Sequence, residues 1–164
     1  MGEAVALDDF ETFFEDEYGD VLRTVALAVG DRARAEEATQ EAFARAFRKW
    51  RKVSLLTRPA AWVYVVAVNA ERSRFRRDAR IHSGVSTDLG VSTDPTGAVL
   101  ARVVVEELLD RLPPRQRAAV VLRYLGDLTV PEVARALGCA EGTVKSTLHD
   151  ALRKLRVELD GSEE

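Results

Sequence analysis

A segment near the C-terminus presents short hydrogen-bonding groups and cations at helical spacing. At about 100° per residue, one face of the helix predicted over residues 142–159 carries Thr143, Lys145, Ser146, His149 and Arg153. The opposite stripe is apolar and carries Val144, Leu148, Ala151, Leu152 and Leu155. Such a polar face suits a helix that enters the major groove of DNA and contacts phosphates and base edges. An ordinary amphipathic helix with a solvated outer face has the same pattern, so both interpretations stay open.

A second group of cations ends a long helix predicted from Pro59, at Arg72, Arg74, Arg76 and Arg77. Residues 45–77 contain ten bases and one acid, a net charge of +9, whereas residues 1–44 contain twelve acids and three bases, a net charge of −9. This asymmetry predicts two surfaces, one for a basic partner and one for a polyanion. Solvated helix faces whose charges segregate by chance are the alternative.

Several kinds of chemistry are excluded by composition. The single cysteine, Cys139, leaves no intramolecular disulfide, and the only histidines, His82 and His149, are too few for a histidine-rich metal site or a triad. No phosphate-binding loop and no run of about 18 apolar residues occurs, and residues 1–20 are acidic where a secretory signal would be basic. We therefore expect a soluble, cytoplasmic, non-enzymatic protein with no metal, cofactor or membrane partner.

Helical periodicity dominates the chain, which predicts an all-α fold. Asp8 or Asp9 is expected to cap the first helix, and Gly30-Asp31 is expected to end it and cap the second. Residues 51–58 are interpreted as a loop, and Pro59 is expected to open the helix that runs to Arg77.

The composition changes at residues 79–97, which are rich in Gly, Ser and Thr and contain GVSTD twice. This segment is interpreted as a flexible linker between two small helical domains, residues 1–78 and 98–164. In the second domain, Thr129 and Glu132 have the spacing of a capping box, and Gly138 suits a left-handed turn. Another helix follows at once, so the pattern predicts a helix-turn-helix.

Two motif sets resemble the sigma factors of bacterial RNA polymerase, in their extracytoplasmic-function (ECF) group. The C-terminal set resembles region 4: residues 112–125, LPPRQRAAVVLRYL; 129–138, TVPEVARALG; and 141–149, EGTVKSTLH. The N-terminal set resembles region 2: residues 30–43, GDRARAEEATQEAF; 58–62, RPAAW; and 66–69, VAVN, running into Arg72–Arg77. Together the two sets span most of residues 8–157 in the family's order.

The resemblance implies a sigma factor that binds core RNA polymerase through the β′ clamp and β flap, recognises two promoter elements and helps to melt the DNA. The residues implied for binding the β′ clamp are Glu37, Gln40 and Glu41. Those implied for the downstream element are Asn69, Arg72, Arg74, Arg76 and Arg77, and the polar face of the last helix is implied for the upstream element. The family also implies an anti-sigma factor. A stand-alone helix-turn-helix regulator is the alternative, but it leaves the acidic helix around Gln40–Glu41 unexplained.

Some positions depart from the family's pattern. Ala38-Thr39 replace a larger apolar pair, and Ala140 stands where a capping Ser is usual. Thr147 and Asp150 stand where many relatives carry Arg; Asp150 could read a base, pair with Arg153 or Lys154, or simply weaken the contact, and the last interpretation is favoured. Trp62 is expected to pack in the core rather than stack on a base, and Cys139 is expected to be a half-buried thiol rather than a redox sensor.

Overall fold

The computed structural model describes residues 2–81 and 98–161, and all regular structure in these ranges is helical. The helices are α1 (Gly2–Val29), α2 (Arg32–Arg48), α3 (Trp50–Val53), α4 (Pro59–Ile81), α5 (Ala98–Asp110), α6 (Pro114–Val120), α7 (Val130–Leu137) and α8 (Glu141–Asp160). A π-helical turn, Val121–Leu125, continues α6. The all-α prediction is confirmed.

In the N-terminal half, α2 packs between α1 and α4. Alanines at Ala35, Ala38, Ala42 and Ala46 are fully buried, so the helices approach closely along this stripe. At one end an aromatic cluster closes the core, where the Phe13 ring lies 4.9 Å from the Trp50 ring and 5.7 Å from the Phe43 ring. This packing fixes α4 beside α2 and sets the position of both predicted surfaces.

Three predicted boundaries are wrong. The first helix begins at Gly2, so Asp8 lies inside it and its carbonyl accepts a hydrogen bond from the Thr12 hydroxyl at 3.1 Å instead of capping. The segment predicted as a loop begins with the short helix α3, which the burial of Trp50 and Val53 anchors. Helix α4 continues to Ile81, so residues 79–81 are helical and not linker. Residues 82–97, with both GVSTD copies, lie outside the described residues.

The other predicted caps are confirmed. The Asp31 carboxylate accepts a hydrogen bond from the backbone N–H of Arg34 at 3.1 Å. The backbone N–H of Glu132 donates to the Thr129 hydroxyl at 3.4 Å, and the Glu132 carboxylate accepts from the backbone N–H of Thr129 at 2.7 Å. Gly138 adopts the left-handed conformation at φ 62° that ends α7. The three residues from Gly138 to Ala140 then connect α7 to α8 as a helix-turn-helix.

The two halves of the chain contact each other. Helix α7 packs on α4, α6 packs on α1, and the buried apolar side chains of both halves form one continuous cluster. Polar contacts cross the same seam: Arg58 Nη1 lies 3.2 Å from Glu132 Oε2, and Arg117 Nη2 donates to the Val29 carbonyl at 3.3 Å. The predicted domains are thus packed against each other here, and their division stays a prediction.

Candidate polymerase and nucleic-acid interfaces

Helix α8 exposes the face that the sequence singled out. Val144, Leu148 and Ala151 are buried against α6 and α7 and so determine which side of α8 points outward. All five predicted contact residues are exposed: Thr143, Lys145, Ser146, His149 and Arg153. Leu152 was placed on the apolar stripe, but its side chain is 40% exposed, so the buried stripe is narrower than predicted. The outward face therefore combines cations with small hydrogen-bonding groups.

Two local interactions modify this face. The Ser146 hydroxyl donates to the Thr143 carbonyl at 3.1 Å, which leaves the lone pairs of the Ser146 oxygen available. Asp150 Oδ1 lies 3.6 Å from Arg153 Nη2, so of the three interpretations of Asp150 the structure contains the intrahelical pair. Ala140 occupies the N-cap of α8 and provides no side-chain hydrogen bond, as expected.

The basic end of α4 divides into two parts. Arg76 and Arg77 are exposed. Arg72 is half-buried, and its Nη2 donates to Asn69 Oδ1 at 2.9 Å. Its guanidinium lies against the turn of the helix-turn-helix, since a Cβ added at Gly138 would collide with Arg72 Nη1. Burial, followed by the nearby charges of Arg76 and Arg115, lowers the pKa of the Arg72 guanidinium, which nevertheless stays protonated.

Arg74 joins residues that the sequence assigned to different partners. Its Nη1 lies 3.1 Å from Glu37 Oε2 and its Nη2 lies 2.7 Å from Glu41 Oε2. Glu41 also pairs with Arg45 on the same helix, whereas Gln40 is exposed. The acidic and basic stretches were expected to form two separate surfaces, but they meet where α2 packs on α4, and part of their charge is paired there.

A buried ion pair beside this contact was missed by the sequence reasoning. Arg34 Nε lies 2.6 Å from Glu71 Oε1, and the Arg34 guanidinium also lies 5.6 Å from the centre of the exposed Phe75 ring. Burial raises the pKa of the Glu71 carboxyl, while Arg34 and Arg74 oppose the rise. Glu71 is the one acid within residues 45–77. A single acid in a basic stretch is a sequence signal that its carboxylate pairs with a nearby cation.

Both tryptophans lie in the N-terminal half and pack on its core. Trp50 is buried between the rings of Phe10 and Phe13, and Trp62 is partly buried against the core, as expected for Trp62. The turn after α3 instead exposes Leu55, whose exposed fraction is 85%. Cys139 is half-buried in the turn before α8, as expected.

Comparison with known proteins identifies the family. The Sigma-70 region 2 model matches residues 13–81, and the Sigma-70 region 4 model matches residues 102–155. The chain belongs to the sigma-70 family, in its ECF group. The region 2 match also accounts for the N-terminal half, which a stand-alone helix-turn-helix regulator would leave unexplained. As a sigma factor, the chain binds core RNA polymerase and directs transcription initiation at promoters.

Named relatives agree with this assignment. The chain is 33% identical over 161 residues to the RNA polymerase sigma-E factor of Streptomyces coelicolor, covering 97% of this chain and 89% of the relative. It is 38% identical over 152 residues to the ECF sigma factor SigL of Mycobacterium tuberculosis, covering 88% of this chain and 85% of the relative.

Solved structures support the fold. The sigma factor RpoE of Bartonella quintana, solved with the anti-sigma factor NepR, has a TM-score of 0.75 and 22% identity, covering 93% of this chain and 97% of RpoE. CnrH, solved with the cytosolic domain of CnrY, has a TM-score of 0.59 and 21% identity, covering 93% of this chain and 88% of CnrH.

Within residues 2–81 and 98–161, no helix is long and apolar enough to cross a bilayer. The same ranges contain no group of three or more side chains placed to hold a metal ion.

Proposed function

We propose that this sigma factor reads the upstream promoter element with the exposed face of α8. The observation that carries this assignment is the orientation of α8: its buried stripe turns Lys145, Ser146 and His149 outward directly after the turn of the helix-turn-helix. A helix in this position can enter the major groove, where short hydroxyls and cations contact base edges and phosphates.

The downstream element contacts the basic end of α4. Arg76 and Arg77 supply phosphate attraction, and Asn69 with Arg72 lies one to two turns earlier on the helix. Melting follows from differential binding, because a protein that holds bases only in the single-stranded state shifts the equilibrium towards open DNA. Arg72 is covered by the turn at Gly138 in this arrangement, so α7 and α8 must move away from α4 before Arg72 reaches DNA.

The β′ clamp of core polymerase binds the exposed side of α2 through Glu37, Gln40 and Glu41, and the β flap binds the C-terminal half. The chain supplies no catalytic group and needs no cofactor, since the polymerase performs the chemistry. It acts in the cytoplasm, where polymerase and chromosome meet. An anti-sigma factor regulates it; the sigma factor RpoE, whose fold is similar, was solved bound to the anti-sigma factor NepR.

The assignment of α8 is tested by footprinting the holoenzyme on a promoter that it transcribes. Lys145→Ala combined with His149→Ala should remove protection of the upstream element and leave protection of the downstream element in place. Arg76→Ala combined with Arg77→Ala should have the reverse effect. Loss of both protections by either variant alone would contradict the division of labour between α8 and α4.

A further inference from the structure

One arginine on α4 connects two glutamates one turn apart on α2. The Arg74 guanidinium uses one terminal nitrogen for Glu37, at 3.1 Å, and the other for Glu41, at 2.7 Å. The Arg74 side chain is only 30% exposed, whereas that of Glu37 is 71% exposed. The Glu41 side chain is only 28% exposed, so the guanidinium lies beneath Glu37 and at a similar depth to Glu41.

The Arg74 guanidinium lowers two free-energy costs of binding a partner through Glu37 and Glu41. Two carboxylates at i and i+4 repel each other on a helix, and a cation between them offsets the repulsion. A glutamate that is free in solution also loses rotamer freedom when a partner immobilises it, at a cost of up to about 2 kcal/mol. A planar fork that already holds both carboxylates reduces that loss, because the surface is ordered before the partner arrives.

We propose that Arg74 is a positioning residue of the polymerase-binding surface, which holds Glu37 and Glu41 in the orientation that the polymerase meets. The inference rests on the proposed assignment of these two glutamates to polymerase binding. This role removes Arg74 from the residues predicted to bind the downstream promoter element, to which its position in the basic stretch of α4 had assigned it.

The neighbours of Arg74 support the reassignment. Both of its terminal nitrogens are engaged by carboxylates, so a phosphate would have to displace two ion pairs to bind it. Arg76 and Arg77 are exposed, and within the described residues neither forms an ion pair. These two arginines can therefore bind phosphate without breaking anything, and Arg74 cannot.

The test measures affinity for core polymerase by competition with labelled wild-type chain. Arg74→Ala should weaken binding by about fivefold, within the range of coupling between contacting residues. Arg74→Lys should restore part of the loss, because an ammonium can hold one carboxylate but does not reproduce the fork. Arg23→Ala is the matched control, since it breaks an exposed ion pair with Asp20 inside α1, outside both proposed polymerase-binding parts, and should leave the affinity unchanged.

A double-mutant cycle separates this inference from the assignment beneath it. If Arg74 acts through the glutamates, Arg74→Ala should have no further effect on core affinity in the Glu37→Gln, Glu41→Gln background. If the glutamate variant weakens binding but Arg74→Ala has no effect or adds to it independently, the positioning role is wrong and the α2 surface stands. If the glutamate variant binds core normally, the α2 assignment fails and the role of Arg74 fails with it.

The salt dependence of promoter binding provides a second readout, which separates a residue that contacts DNA from one that positions the polymerase-binding surface. A lost phosphate contact lowers the slope of log affinity against log salt by about 0.7–0.9. Holoenzyme with Arg74→Ala should keep the wild-type slope. A slope reduced by that amount, with core affinity unchanged, would show that Arg74 binds DNA and would overturn the proposal.

Discussion

At the scale of single residues, polar atoms in the core show where this sequence departs from optimal packing. Thr39 is fully buried on α2, and its hydroxyl has no hydrogen-bond partner within the described residues. Thr24 is buried as well, but its hydroxyl lies 3.4 Å from that of Tyr64. The Thr24 hydroxyl therefore has a hydrogen-bond partner, whereas the Thr39 hydroxyl does not. Burial of the Thr39 hydroxyl costs desolvation free energy that no hydrogen bond offsets.

Thr39→Val should therefore stabilise the protein, because it keeps the shape of the side chain and removes the unpaired hydroxyl. The expected gain is about 1 kcal/mol, or about 2–4 °C in Tm for a chain of this size. Thr39→Ser is the matched control, since it keeps the hydroxyl, loses a buried methyl and should lower Tm. Thermal unfolding followed by circular dichroism measures both, and a lower Tm for Thr39→Val would contradict this view of the site.

Glu71 makes stability depend on pH in a defined direction. Burial raises the pKa of its carboxyl above the ordinary 4.5, so the folded protein holds this proton more tightly than the unfolded chain does. The contribution of this carboxyl to stability is fully present below about pH 4.5 and is lost as pH rises through the pKa of Glu71 in the folded protein. Glu71→Gln mimics the protonated form and should match wild type near pH 4 and be the more stable protein at neutral pH. Urea unfolding at several pH values tests this, and a difference that stays constant with pH would contradict it.

At the scale of elements, residue patterns predicted the termini of helices that carry local signals. Asp31, Thr129 with Glu132, and Gly138 were all recognisable because a cap or a left-handed turn requires particular side chains. Helix α3 was missed because the burial of Trp50 and Val53 sustains a segment with no such signal. The start of α1 was misplaced because Asp8 and Asp9 have the residue type of an N-cap but lie inside the helix. The exposed face of α8 was predictable from its period of 3.6 residues. The Arg74–Glu41 and Arg34–Glu71 pairs were not, since they join residues 33 and 37 positions apart.

The N-terminus of α8 offers a prediction that belongs to this scale. Ala140 has the extended conformation of an N-cap, with φ −71° and ψ 152°, but it has no side-chain oxygen to accept a hydrogen bond from the first turn. Ala140→Ser should add that hydrogen bond and stabilise the helix by about 1 kcal/mol. Urea unfolding measures the gain. An unchanged or lower free energy of unfolding would show that the N–H groups of this turn already have other partners.

At the scale of the whole molecule, the packing of the two halves against each other bears on the proposed contacts with two promoter elements. The seam contains Arg58 with Glu132 and Arg117 against the carbonyl end of α1, where a cation also interacts favourably with the helix dipole. The same seam covers Arg72, so the proposed contact of Arg72 with the downstream element requires the two halves to separate there.

Loosening the seam should expand the free protein. Arg58→Ala combined with Arg117→Ala removes two contacts between the halves and should increase the radius of gyration measured by small-angle X-ray scattering. The matched control is Arg102→Ala combined with Arg111→Ala, which breaks two ion pairs inside the C-terminal half, with Glu106 and Glu158. Equal radii for all three proteins would show that these arginines do not hold the halves together.

Promoter selection through α8 and α4, with α2 bound to the polymerase, is tested most directly by transcription with purified core polymerase and the purified chain on genomic DNA, with the 5′ ends mapped. We expect transcription starts that depend on the chain and share two sequence elements at fixed spacing. Lys145→Ala combined with His149→Ala should disrupt dependence on the upstream element alone. Absence of starts that depend on the chain, or starts with no shared upstream element, would contradict this mode of promoter selection.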